Sequence, residues 1–145
     1  MTATEGRREF APPLLVVDGA NVVGSVPDGW WRDRRGAAER LRDALVPLAS
    51  AGLAADRGGP PWAVGVPLDV LLVVEGAARG VSPVPGVRVE SAPGSGDDLI
   101  AEIAARAGAQ TPARRCVVAT ADRGLRARVV ASGAVCVGPR AVRSR

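Results

Sequence analysis

Five short apolar runs punctuate the chain. Leu14-Leu15-Val16-Val17 and Val70-Leu71-Leu72-Val73-Val74 contain no polar position, the pattern of strands covered on both faces of a parallel sheet. Val87 to Val89, Cys116-Val117-Val118-Ala119 and Ala134 to Val137 are shorter runs of the same kind. Between them the apolar spacing turns helical. From about Gly36 to Ser50, Ala38, Leu41, Leu45 and Leu48 share one face, and Glu39, Arg42 and Asp43 lie on the other. Ser95-Gly96-Asp97-Asp98 opens a second helix with Leu99, Ile100, Ile103 and Ala104 as its stripe, and a third follows Asp122 with Leu125 and Val129 facing inward. Strands alternating with helices predict an α/β fold, a parallel sheet with both faces covered. There is no internal repeat and no second domain. Residues 13–138 read as one domain, 1–12 as a disordered lead-in and 139–145 as a frayed basic tail. The Gly/Pro-rich stretch 51–67 reads as a long mobile loop outside the core.

With 145 residues, 47% of them apolar, the chain is long enough to bury a core. It carries a formal charge of +4, which favours a polyanionic partner. All its basic residues are Arg; there is no Lys and no His. A Ser-His-Asp triad, a Cys-His pair and a receiver domain's Lys are therefore excluded. Cys116 and Cys136 lack zinc-site spacing and read as reduced thiols within apolar runs. The N-terminus has no apolar signal segment and no run is long enough to span a membrane, so a cytoplasmic protein is expected.

Acidic residues fall where ligands bind. Asp18 follows LLVV, Glu75 follows VLLVV and Asp122 follows CVVAT, while Asp97 lies in the first turn of a helix. In a parallel sheet, strand C-termini and helix N-termini share one edge, which is the ligand edge of open α/β sheets. Carboxylates gathered there repel one another, and a hard cation such as Mg²⁺ or Mn²⁺ relieves that repulsion. Such a cation serves phosphodiester hydrolysis. Structural alternatives stand beside this. Ser95 and Asp98 have capping-box spacing, Asp98, Glu102 and Arg106 fit a salt-bridge row, and Asp97 and Asp122 suit a helix N-terminus by charge. A strand-end Glu75 can simply face water. Asp18, between four aliphatics and a Gly, has no such alternative.

Three motifs in order resemble those of NYN domains, a branch of the PIN-like nucleases. They are Asp18-Gly19-Ala20-Asn21 after the first strand, Asp97-Asp98-Leu99-Ile100-Ala101 at a helix start, and Val117-Val118-Ala119-Thr120-Ala121-Asp122-Arg123. The resemblance covers nearly the whole chain. It implies a three-layer PIN-like fold with strand order 3-2-1-4-5, with Asp18, Asp97 and Asp122 as metal carboxylates, Glu75 as the fourth acid and Asn21 orienting the site; Asp98, next to Asp97 at the helix start, is a further candidate metal ligand by its position. It implies a metal-dependent ribonuclease that takes Mg²⁺ or Mn²⁺. The family's middle helix with its Glu has no clear counterpart between the first helix and residue 90, where the Gly/Pro stretch lies instead.

RNA is the expected partner, and a homodimer is left open. Trp30-Trp31-Arg32, in a loop with Pro27, Asp28 and Gly29, offers aromatics to stack bases and an Arg for phosphate. Arg123 and Arg126 share a helix face that can meet the RNA backbone. The competing readings are a non-catalytic RNA- or protein-binding module and a metal-dependent nucleotide pyrophosphohydrolase, although no Gly-rich phosphate loop is present. A TOPRIM-like domain lacks its Asp-x-Asp.

Overall fold

The structure, a computed structural model, describes residues 11–143. Strands β1 (Leu14–Asp18), β2 (Asp69–Val74), β3 (Val87–Ser91), β4 (Cys116–Ala119) and β5 (Val135–Val137) form one sheet in the order β3-β2-β1-β4-β5. Every pairing is parallel, and β1 lies at the centre: Leu14 pairs with Asp69 on one side and with Cys116 on the other. The helices are α1 (Gly19–Gly24), α2 (Arg34–Leu45), the single turn α3 (Leu48–Ala51), α4 (Gly96–Gly108) and α5 (Arg123–Ala131).

The unbroken apolar runs are explained by two cores, one on each face. Successive strand residues point to opposite sides. Leu15, Val17, Val70, Leu72, Val74 and Val117 meet Val22 of α1 and Ala38, Leu41 and Leu45 of α2. Leu14, Val16, Leu71, Val73 and Val118 meet Ile100 and Ile103 of α4 and Leu125 and Val129 of α5. The result is a three-layer α/β fold.

The turn from β1 into α1 depends on Gly19. A Cβ there would stand 2.5 Å from the Val73 carbonyl oxygen of the neighbouring strand. Only glycine lets the chain leave the sheet at Asp18 without displacing β2. This short helix is absent from the sequence reading, which placed no element between the first strand and the loop with Pro27, Asp28 and Gly29.

Two segments differ from expectation. Residues 51–67 are not outside the core: Leu53 and Ala63 are 2% and 0% exposed and belong to the same cluster as α2. The Leu53 amide donates to the Ala63 carbonyl at 2.9 Å, and 3₁₀ turns form at Ala55–Arg57 and Pro61–Ala63. Here Gly and Pro shape turns that carry two apolar anchors inward. The tail is likewise packed as far as Arg143. Ala141 and Val142 are buried, and Arg57 donates to the Arg140 carbonyl at 2.9 Å. Arg143 donates to the Val22 carbonyl at 3.1 Å, at the end of α1, and pairs with Asp28 at 3.0 Å. Most of the expected lead-in, residues 1–10, lies outside the described residues, as do residues 144–145. Among the described residues, no helix is long and apolar enough to cross a membrane. Cys116 and Cys136 are free thiols, the first buried and the second half-buried.

If the 51–67 segment contributes to the core as described, Leu53→Ala should cost roughly 2–4 kcal/mol in urea denaturation. A loss below about 0.5 kcal/mol, the size of an ordinary surface change, would return the segment to the status of a surface loop.

Candidate functional site

Because the strands are all parallel, their C-termini share one edge. Asp18 ends β1, Glu75 follows β2, Asp122 follows β4 and Asp97 sits in the first turn of α4. Asp18 is the most enclosed of them, 3% exposed. The Thr120 hydroxyl, wholly buried at the end of β4, donates to Asp18 Oδ2 at 2.8 Å and accepts the Asp122 amide at 3.1 Å. Asn21 Oδ1 accepts the Ala121 amide at 2.8 Å, joining the loops after β1 and β4. One network thus ties the first motif to the third.

The charges at this edge are not balanced. Among the described residues, Asp18, Glu75, Asp97 and Asp122 form no ion pair. Burial pushes the Asp18 carboxyl up to about 6, against the Thr120 hydroxyl and the Asn21 amide, and the charges of Asp97 and Glu75 add to the rise. Asp97 is also raised, first by partial burial and then by Asp122 and Glu75, with Arg128 opposing. Asp69, at the other edge, makes the contrast. It pairs with Arg88 at 2.8 Å and Arg114 at 3.0 Å, and these partners hold it below the usual carboxylate range despite its burial.

The remaining candidates divide. Asp98 is directed to solvent, 75% exposed in its side chain, and pairs with Arg128 at 3.0 Å; the expected row keeps only Glu102 with Arg106, at 3.8 Å. Asp122 has a structural task as well, since its Oδ1 caps α5 by accepting the Leu125 amide at 2.8 Å. Ser95, not Asp98, caps α4, accepting the Asp97 amide at 3.1 Å. Trp30 is half-buried against the core, whereas Trp31 is 52% exposed with its ring edge-on to Trp30 and Arg32 5.9 Å from its centroid. Arg123 is exposed at the start of α5. Arg126 is half-buried, and its Nε donates to the Thr120 carbonyl at 2.8 Å, which makes it a brace of the Thr120–Asp122 turn.

All the donors at this edge are oxygens, and unpaired carboxylates, of which Asp18 and Asp97 have raised pKa values, suit a hard divalent cation. No three acidic or thiol groups among the described residues converge as a ready-made cage. Mg²⁺ does not require one, because it commonly keeps waters and uses one or two carboxylates with substrate phosphate. Asp18 and Asp97 are the two acids of this edge whose carboxyl groups the fold pushes above the ordinary range.

Sequence reasoning missed two parts of this arrangement. Thr120 entered only as a motif position, although a lone hydroxyl at the end of a buried strand already signals a buried polar partner. Gly96 was overlooked: a Cβ there would meet Glu75 Oε1 at 2.7 Å, so its bareness admits the Glu75 side chain against the start of α4.

These features define a class: an α/β domain of strand order 3-2-1-4-5 with an acidic, uncompensated C-terminal edge. Its fold is similar to that in the crystal structure of Rae1 (YacP) from Bacillus subtilis, a W164L mutant, with a TM-score of 0.62 and 20% sequence identity over 90% of this chain and 72% of that one. Neither a protein-family model nor a curated protein sequence matches the chain.

Two outcomes follow from the network. Raising the Asp18 pKa from its ordinary 3.8 to about 6 means that the folded protein holds a proton which the unfolded chain has released between those values. Its contribution is full below about pH 4 and is lost as pH rises through about 6, a change on the order of 2–3 kcal/mol. Asp97 acts in the same sense. Urea denaturation of wild type and Asp18→Asn across this range should show the mutant gaining relative stability as pH rises; parallel curves would contradict the Asp18 assignment. Thr120→Val should cost about 1–3 kcal/mol at pH 7 and move the Asp18 carbon resonance titration upward, because the buried carboxylate loses its donor. An unmoved titration would show that the hydroxyl does not hold Asp18.

Proposed function

We propose that this protein is a divalent-metal-dependent ribonuclease of the PIN-like, NYN type, acting on single-stranded RNA in the cytoplasm. The observation that carries the reading is the Asp18 carboxyl, buried at the end of the central strand, without a cationic partner and with three more acids on the same edge. The NYN-like motifs bear on the same residues, and the shared fold with Rae1 (YacP) is consistent with the reading.

Asp18 and Asp97 would hold Mg²⁺ or Mn²⁺, with Asp122 and Glu75 adding negative potential. When bound, the cation neutralises charge developing on the phosphoryl oxygens and lowers the pKa of a nearby water. The protein's own part is positional. Thr120 and the Asn21 amide fix Asp18, Asn21 Oδ1 fixes the loop before Asp122, and Arg126 braces that loop from behind. Arg123 at the start of α5 and Arg32 beside Trp31 offer guanidinium groups to backbone phosphates, and Trp31 offers an exposed ring to a base.

A non-catalytic RNA-binding module is the second reading. It is favoured by the Asp122 carboxylate serving as a helix cap, with no converged acidic triad among the described residues. Single-stranded RNA incubated with the protein should be cut with Mg²⁺ or Mn²⁺ and not with EDTA, and Asp18→Asn should reduce cutting by at least about 100-fold, a change of roughly 2.7 kcal/mol in the barrier. Metal should raise the melting temperature of wild type more than that of the mutant. Salt-sensitive RNA binding without cutting would favour the module, cleavage of free nucleotides alone would favour a pyrophosphohydrolase, and wild-type cutting by Asp18→Asn would end the carboxylate argument.

A further inference from the structure

At the opposite edge of the sheet, where the strands begin, lies a groove of about 800 Å³. Its rim follows the chain into three neighbouring strands: Pro12 and Pro13 lead into β1, Pro67 into β2 and Pro112 towards β4. The backbone here has little left to offer a ligand. Prolines carry no N–H, and the amides of Leu14, Asp69 and Arg114 already donate at 2.9 Å to the carbonyls of Arg115, Pro13 and Ala107. A peptide therefore has few backbone groups to pair with as an added strand, and recognition falls to side chains.

The charge among those side chains is positive. The lining holds Arg114 and Arg115 and, among the described residues, no acid. Arg114 is committed to the fold: its Nη2 donates to the Pro12 carbonyl at 2.9 Å and to Asp69 at 3.0 Å, and Asp69 is shared with Arg88. Arg115 is different. It is exposed, forms no salt bridge among the described residues, and its guanidinium stands 5.4 Å from the ring centroid of Trp62. Trp62 is half-buried and packed against the core. A guanidinium held over a fixed indole is preorganised, so less freedom is lost when it binds. The groove thus presents one anchored, unpaired cation among apolar walls, with the Gln110 amide and the Thr111 hydroxyl as further hydrogen-bonding groups.

We propose that this groove is an RNA exosite, in which Arg115, braced on Trp62, holds a single strand remote from the acidic edge. The inference rests on RNA being the substrate of the proposed activity. The acidic edge, with four carboxylates in no ion pair among the described residues, repels a polyanion until a cation is bound, so affinity for RNA has to be gathered elsewhere. The groove has the opposite sign. The 5 residues of β1, at roughly 3.3 Å each, set it about 16 Å away. An RNA strand also matches both parts of the lining. Phosphates take guanidinium, amide and hydroxyl donors, and an unstacked base lies flat on an arginine plane. An acidic peptide supplies the charge without the ring.

The test uses the 145-residue chain in EDTA, so that metal bridging at the acidic edge does not enter. Fluorescence anisotropy with a labelled single-stranded RNA of about 20 nucleotides should show Arg115→Ala binding at least about fivefold more weakly, the loss of one stacked and charged contact. The slope of log affinity against log salt should fall by about 0.7. Arg115→Lys should recover the slope but not the affinity, because it keeps the charge without the planar fork. Arg40→Ala, which removes an exposed arginine from α2, should change binding by less than about twofold, with melting temperature checked for each variant. A polyglutamate peptide is the competitor. Wild-type affinity in Arg115→Ala, or an equal loss in Arg40→Ala, overturns the exosite and leaves the ribonuclease reading standing on the cutting assay. Displacement of the RNA by polyglutamate at equal charge concentration assigns the groove to an acidic protein segment and overturns RNA as its occupant. RNA binding that depends on Arg115, with no cutting under any divalent metal, supports the exosite and overturns the ribonuclease reading. No RNA binding by wild type overturns the exosite, and with no cutting it overturns both.

Discussion

The carboxyl group of Asp18 ends the central strand of the sheet with almost all of its surface removed from water, and the surrounding structure is arranged around it. A carboxylate in that position is costly unless it is hydrogen-bonded or neutralised. The Thr120 hydroxyl and the Asn21 amide provide part of what water would have supplied. Thr120 can do so only because β4 lies directly beside β1 in parallel register, and the Asn21 amide because Gly19 permits a helix to start at once. The rest of the charge is left uncompensated. Arginine is not scarce, with 19 in the chain, and Asp69 at the opposite edge receives two of them. The difference between the edges is therefore one of placement, and it concentrates negative potential where the strands end.

What was legible in the sequence follows from how local each signal is. β1 and β2 are uninterrupted aliphatic runs, and a strand buried on both faces has few other ways to look. The helices with Ile100, Ile103, Leu125 and Val129 repeat at helical spacing and sit where expected. The strand order came from the resemblance to NYN domains and not from periodicity, which is blind to neighbours. The four acids were readable because each directly follows an apolar run or opens a helix. Their mutual repulsion, and the pairing of Asp98 with Arg128, are products of the tertiary fold. The bridge from Thr120 to Asp18 spans 102 positions, so the lone hydroxyl signals a buried partner without saying which residue it is. Trp30 and Trp31 are adjacent and chemically identical, yet one packs inward and the other outward, a split decided by the 3₁₀ turn Trp30–Arg32. The 51–67 stretch misled because Gly and Pro were taken as a sign of motion. Pro also limits the unfolded chain's freedom, and a few apolar anchors then suffice to hold such a segment in place.

The strand order has a consequence for the order in which the molecule can be assembled. β1 is the first strand to be made and the central one in the sheet, flanked by β2 and, much later in the chain, by β4. A growing chain that has reached β3 can close only one side of β1, so the other side presents unpaired backbone groups until β4 has been synthesised. Asp122 and the Thr120 hydroxyl arrive with that same late strand and the turn beyond it, and Arg143, which closes the end of α1, arrives later still. Until then Asp18 stands at an open sheet edge reached by water, like any exposed carboxylate. The acidic edge is thus completed only when β4 and the turn beyond it are in place, although its central residue belongs to the earliest strand of the sheet in chain order.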